Sequence, residues 1–238
     1  MKLYFIRHAD PLYSLDSLTP KGWHEAELLA PRIKRIFETE SVRTVYCSPL
    51  GRAQDTARVS LEPLGKTVVT KDWMLEFPAV MQMPEGYYRM PWDFLPAWWT
   101  THEDLYDKDN WFRGPTMSKG GNVEEWYNRV ADGIDGILAE HGYRRDGNFY
   151  RTDGGNGDTL LFFCHLGVMF VMLSRMLSMP TPVLWQNFFV APSSVTLVST
   201  EEVVKGEVAM RVKYFGDISH LYTVGERPSD SGFFAEYR

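Results

Sequence analysis

Cysteine is scarce in this chain: its 238 residues include two, Cys47 and Cys164. Two thiols cannot build a disulfide framework. Each falls near the end of a strand-like apolar run, so both are expected to be buried, free and in a reducing, cytoplasmic setting. Long apolar stretches are lacking too. The longest, residues 160–177, contains His165 and Arg175, and it reads as a buried strand running into a helix rather than a membrane span. The opening MKLYFIRH has one Lys and a very short apolar run, unlike a signal peptide. There is no excess of positive charge: 25 Lys and Arg against 31 Asp and Glu leave a formal net charge of −6, which argues against nucleic acid or a membrane surface as partner. No His/Cys/Asp cluster has metal-ligand spacing, so no metal and no other cofactor is expected. Neither a GxGxxG nor a P-loop pattern occurs, which ranks a nucleotide-binding α/β domain last among the readings.

What is present is an ordinary apolar fraction of 44% and a charged fraction of 24%, with 14% aromatic residues including eight Trp. The length suits one domain over 1–238 with a cap-like insertion at about 77–150. Residues 2–6 read as a buried strand ending in Arg7-His8. Thr19-Pro20 reads as a helix start, Thr as N-cap and Pro at the first helical position. That helix is expected to kink or break at Pro31. Strands at 43–47 and 66–70 flank a helix from Arg52 onward. Residues 160–164 form a strongly apolar strand, followed by His165 and an apolar helix to about residue 176. Strand, helix, strand, helix, strand implies a parallel core.

Residues 77–118 break the pattern. They are rich in Pro, Trp, Tyr and Met with little periodicity, and their aromatics argue against disorder. They read as a partly helical segment folded over the core. A helix at 121–140, a hairpin or tight loops at 143–158, strands at 194–200 and 208–215 joined at Lys205-Gly206, and a polar, loosely held tail complete the reading.

Three strand ends deliver unusual polar groups: Arg7-His8, Arg52 through a turn, and His165. In α/β sheets, ligands bind beyond the carboxyl ends of the parallel strands. Arginine matches a phosphate bidentately and stays charged, a neutral imidazole is a competent nucleophile toward phosphorus, and a protonated second imidazole donates to growing equatorial charge. Two arginines and two histidines converging there make a specific chemical statement. One of these residues alone would more often be structural.

Arg7-His8-Ala9 resembles the Arg-His-Gly signature of the histidine phosphatase superfamily, in its phosphoglycerate mutase-like branch. Leu18-Thr19-Pro20-Lys21-Gly22 with Ala26 is similar to that family's helix start, with Glu25 where Gln is usual. The segment Ser48 to Ala57 closely resembles its Ser-x-x-x-Arg-Ala-x-x-Thr-Ala motif, Leu75-Glu76 falls where the mutase-like branch carries its acid, and Cys164-His165-Leu166-Gly167 is similar to its second-histidine segment. Ala9 and Leu166 stand where the family has Gly. The resemblance implies a three-layer α/β/α sandwich with a mostly parallel central sheet and an aromatic-rich insertion over the C-terminal strand ends. It implies a metal-independent phosphomonoesterase acting on a small phosphate ester. His8 would be the nucleophile, Arg7, Arg52 and His165 the phosphate ligands, and Glu76 the proton donor and acceptor, its pKa raised by apolar neighbours. A phosphoglycerate-type mutase would use the same residues, and an inactive member would bind phosphorylated ligands only. In the insertion, Arg89, Arg113 and His102 are candidate substrate contacts, and its tryptophans candidate stacking surfaces. Oligomeric state is not readable.

Overall fold

The computed structural model describes residues 1–83, 86 and 88–233. One sheet is built from β1 (Lys2–Arg7), β2 (Ser41–Cys47), β3 (Val69–Thr70), β4 (Arg144–Asp146), β5 (Phe149–Arg151), β6 (Asp158–Cys164), β7 (Val195–Val204) and β8 (Glu207–Asp217), in the order β3-β2-β6-β1-β7-β8-β5-β4. The β3, β2, β6 and β1 strands are parallel, and every later pairing in that order is antiparallel. It follows that only β7 and β5 run against the other six, so the sheet is mixed and mostly parallel.

The alternation of side chains along β1 and β6 makes the layers. Leu3, Phe5, Leu160 and Phe162 enter one apolar cluster, and Tyr4, Ile6, Leu161 and Phe163 enter another on the opposite face. The helices are α1 (Pro20–Thr39), α2 (Gly51–Leu61), α3 (Pro96–Trp99), α4 (Val123–Glu140), α5 (Leu166–Leu177), α6 (Thr181–Asn187) and α7 (Ser219–Tyr222). Leu29, Ile33, Ala53 and Ala57 of α1 and α2 cover the second face, while Ile134, Leu138, Val168 and Phe170 of α4 and α5 cover the first. Each fully buried Leu, Ile or Phe contributes about 1.5–3 kcal/mol, so both covers are firmly held. The described residues between 77 and 118 form a two-stranded pairing of Met81–Gln82 with Tyr88–Arg89, the short α3 and 3-10 segments, and Trp99, Trp111 and Phe112 are buried in the first cluster.

Three expectations are corrected, and one is met and extended. The α1 helix neither stops nor is divided at Pro31: the proline lies on the exposed face, while Leu29, Ile33 and Ile36 keep the buried face in register. The strand expected at 66–70 is only Val69–Thr70, an exposed edge segment. The stretch at 143–158 does contain a hairpin, β4–β5, but it also extends the central sheet by pairing with β8. The tail is held as far as Phe233: the Ser229 hydroxyl bonds to Asp10, and the Ser231 carbonyl accepts from Arg7 at 2.9 Å. Among the described residues no helix is long and apolar enough to cross a membrane.

Candidate active site

Strand register sets the site. Arg7 pairs with Cys164, and Phe163 with Cys47. One residue further on, the His8 amide donates to the Cys164 carbonyl and the Ser48 amide to the Phe163 carbonyl, both at 2.9 Å. His8, His165 and Ser48 therefore emerge side by side from adjacent strand ends. The two imidazole centroids are 5.0 Å apart and tilted by 54°.

His8 is buried, and its Nδ1 lies 2.8 Å from the Ala9 carbonyl. A carbonyl only accepts, so Nδ1 carries the proton and Nε2 keeps its lone pair. Burial first, then the charges of Arg7 and Arg52, push the His8 pKa well below the usual imidazole range. The ring is thus neutral near pH 7, the form a nucleophile needs. His165 is shifted the same way by burial and then by His8, Arg52 and Arg7. Its Nε2 is 2.6 Å from Ser48 Oγ, which also accepts from the Leu50 amide at 3.2 Å. With that amide on one lone pair, the hydroxyl keeps a second lone pair and its own proton for the contact with Nε2. The other ring nitrogen, Nδ1, is a buried atom without a hydrogen-bond partner.

Arg7 is fixed from behind. Its Nη1 donates to Val190 O at 2.7 Å and its Nη2 to Ser231 O at 2.9 Å, and its guanidinium lies 5.7 Å from the Phe189 ring centroid. Arg52, the second residue of α2, donates from Nη1 to Asp16 Oδ1 at 2.5 Å. The other Asp16 oxygen accepts from the Gly51 amide at 2.7 Å. Glycine is required at 51, because a Cβ there would stand 2.1 Å from the Asp16 carbonyl oxygen. The buried Nε atoms of Arg7 and Arg52 have no hydrogen-bond partner.

Glu76 comes from the loop after β3 and reaches the N-terminus of α5. Its Oε1 accepts from the Phe77 amide at 2.9 Å and the Val168 amide at 3.1 Å. Neither bond uses Oε2. Desolvation raises the carboxyl pKa, opposed by the two amides and by the charges of Arg7 and Arg52. A Cβ at Gly167 would lie 2.7 Å from Glu76 Oε1 and 2.5 Å from the Trp92 ring. The glycine that this corner needs is therefore Gly167, and Leu166 before it is the buried first residue of α5. Ala9 is buried outside the left-handed region, where a methyl group is tolerated, and its amide donates to Thr56 Oγ1 at 3.0 Å. Glu25 is fully buried, and its Oε2 accepts from the Asp10 amide at 3.0 Å, tying the loop after His8 to α1.

The three insertion candidates part company. Arg89 lines a cavity of about 410 Å³ with Trp92, Leu166 and Gly232; none of Arg7, His8, Arg52, Glu76 and His165 lines it, but Leu166 follows His165 and the Trp92 ring stands near Gly167 and Glu76 Oε1. Arg113 is exposed over the Phe112 ring and lines cavities containing none of Arg7, His8, Arg52, Glu76 and His165. His102 is held by its own neighbours: Nδ1 bonds to Trp98 O at 2.7 Å, and its ring centroid lies 4.1 Å from that of Trp98. Sequence reasoning missed Asp16, whose role depends on a contact 36 residues away. It quoted Ser48 within a motif without giving it a role. Among the described residues no group of three or more His, Cys, Asp and Glu is placed to hold a metal.

Known proteins match this chain along most of its length. A protein of Hydrogenobacter thermophilus named "Putative phosphoserine phosphatase 2" is 30% identical over 152 residues, covering 59% of this chain and 68% of its own. The adenosylcobalamin/alpha-ribazole phosphatase of Salmonella typhi is 29% identical over 197 residues, 78% of this chain and 84% of its own. Among solved structures, the phosphoserine phosphatase of Entamoeba histolytica superposes with a TM-score of 0.59 at 18% identity, covering 92% of this chain and 98% of its own, and so shares the fold. The sequence model of the histidine phosphatase superfamily, branch 1, matches residues 3–211. With that match across the sheet, both histidine segments and the helix that begins at Gly51, the chain belongs to the histidine phosphatase superfamily.

Proposed function

We propose that this chain hydrolyses the phosphate monoester of a small alcohol through a phosphohistidine formed on His8. The observation that carries the reading is the neutral His8 ring, with Nδ1–H committed to a backbone carbonyl and Nε2 left as the basic atom beside His165. In the first step the Nε2–P bond forms and the bond from phosphorus to the ester oxygen breaks. Glu76 gives that oxygen its proton. In the second step Glu76 takes a proton from water, whose oxygen attacks phosphorus and releases Nε2.

Arg7 and Arg52 offset the charge on the equatorial oxygens, and His165 donates from Nδ1. An incoming phosphoryl dianion opposes the field of the two guanidiniums, which favours the charged form of His165 during transfer. By name, the relatives reported above are phosphoserine and adenosylcobalamin/alpha-ribazole phosphatases, and the Entamoeba enzyme is seen with phosphoserine bound. Rapid-quench trapping tests the reading. Acid-labile, base-stable phosphate should accumulate on the wild type and not on His8→Ala, with one free phosphate released per ester consumed. Isomerised ester in place of free phosphate would make the enzyme a mutase. Turnover by His8→Ala at the wild-type rate would remove the nucleophile.

A further inference from the structure

Three residues that line the cavity beside Leu166 also approach catalytic groups. The Trp92 ring stands against Gly167 beside Glu76 Oε1. Phe189 lies beneath the Arg7 guanidinium. Gly232, at φ +85°, brings the tail within 2.9 Å of Arg7 Nη2, measured from where a Cβ would stand. An ester oxygen protonated by Glu76 would have its alcohol portion beside this space.

Six of its fourteen lining residues are aromatic: Trp92, Phe94, Trp185, Phe188, Phe189 and Phe233. Trp92 and Trp185 meet at 5.8 Å between centroids, and Phe189 and Phe233 at 5.2 Å, so the rings brace one another. The volume of about 410 Å³ falls in the range of sites for drug-sized ligands, roughly 300–1,000 Å³. A serine-sized or glycerol-sized alcohol would leave most of this wall uncovered. One acid also lines the cavity. Asp93 has Oδ1 buried with no hydrogen-bond partner, and an acceptor in that condition is stabilised by a donor from a ligand.

Resting on the phosphatase reading above, we infer that this cavity binds the leaving alcohol, and that the alcohol carries a flat aromatic or heteroaromatic ring with an N–H or O–H donor for Asp93. The rings supply stacking area and Asp93 fixes orientation. Desolvation raises the Asp93 carboxyl to about 6, with the nearby Arg89 charge opposing the shift, so it is mainly an acceptor at neutral pH.

The test compares phosphate release from adenosine 5′-monophosphate and benzyl phosphate with release from glycerol 3-phosphate and phosphoserine. It is paired with calorimetric titration of adenosine into wild type, Asp93→Asn and Phe233→Ala. The ring-bearing esters should show kcat/KM at least about tenfold higher than the ringless ones, and each variant should lower the adenosine-to-glycerol ester ratio by about tenfold and weaken adenosine binding. Equal turnover of both groups, or variants that leave the ratio unchanged, would overturn the inference while the phosphatase reading stands. Adenosine binding that depends on Phe233, with no ester hydrolysed, would sustain the cavity and sink the phosphatase reading. The two failures are thus separable.

Discussion

Asp16 holds Arg52 by a 2.5 Å bond from Nη1 and at the same time accepts from the amide at the start of the same helix. One carboxylate thereby fixes both the guanidinium and the backbone from which it springs. Asp16 itself sits at φ 46°, in the left-handed region that aspartate tolerates better than most residues. A phosphate ligand must approach Arg52 along the edge that Asp16 leaves open.

Asp16 is expected to act as a positioning residue. Asp16→Ala should lower kcat/KM by about 10–100-fold, because a loosened guanidinium loses orientation, while circular dichroism stays that of the wild type. Asp16→Asn keeps an acceptor and should recover most of the loss. An Asp16→Ala enzyme that binds inorganic phosphate more tightly and turns over no more slowly would make Asp16 a competitor for Arg52 instead.

Arg7 and Arg52 should not respond alike to truncation. Both Arg7→Ala and Arg52→Ala are expected to lose about 100-fold or more in turnover. Arg7 also satisfies two backbone carbonyls and tethers the tail. Arg7→Ala should therefore lose about 1–3 kcal/mol of stability as well, since those carbonyls lose their partner. Urea unfolding of both variants checks this, and an unshifted midpoint for Arg7→Ala would show that the tail contact carries no weight.

The parts of this fold that were legible in the sequence are those with a local signal. Continuous apolar runs mark β1, β2 and β6, Thr19-Pro20 marks the start of α1, and Lys205-Gly206 marks the β7–β8 turn, where Gly206 adopts φ +82°. The grouping of Arg7, His8, Arg52 and His165 follows from parallel register, which runs of this kind imply. What escaped notice depends on distant backbone atoms. Nothing in a polar tail announces that the Ser231 carbonyl will accept from Arg7, or in a short polar loop that Asp16 will reach Arg52. The described part of 77–118 is built of elements of two to four residues, too short for a periodic signal, so sequence spacing could not separate Arg89, in the cavity lined by Leu166, from Arg113, which does not line it.

His220 offers a test of electrostatics away from the chemistry. Its Nε2 lies 3.1 Å from Ser193 Oγ, and burial lowers its pKa from 6.5 to about 4. Between these values the unfolded chain takes up a proton that the folded chain refuses. His220 therefore makes folding less favourable as pH falls through that window and has no such effect above about 6.5. The stability of wild type minus that of His220→Gln should fall by up to about 1.4 kcal/mol per pH unit between pH 6.5 and 4 and be level from pH 7 to 8. A difference that stays flat through the acid range would mean that the imidazole charges in place.

Glu25 has the opposite sign. Desolvation raises its folded pKa, although the Asp10 amide and Lys21, at 3.4 Å, work against this. The ionised form is thus the disfavoured one in the folded protein. Glu25→Gln, which keeps the acceptor for Asp10, should be more stable than wild type at pH 7. The advantage should vanish below about pH 4, where both folded and unfolded carboxyls are protonated. Thermal melts at the two pH values measure it, and a less stable Gln variant at pH 7 would make the Lys21 pair the dominant interaction.

Gly167 and Glu76 make a linked pair of predictions. Gly167→Ala introduces a methyl group into space held by the Glu76 carboxylate and the Trp92 ring, at 2.7 and 2.5 Å. The carboxylate must shift, and proton delivery to the ester oxygen suffers. Glu76→Gln removes that proton outright. General acid help is worth about 100–10,000-fold when the leaving group is a poor one, and far less for a phenolate that departs unaided. Both variants should therefore lose much more kcat on an alkyl phosphate than on 4-nitrophenyl phosphate, with Gly167→Ala the milder of the two. Phosphohistidine should still form from the aryl ester in Glu76→Gln and then persist, because the same carboxylate is needed to activate water. Equal losses on alkyl and aryl esters would assign the proton to another group.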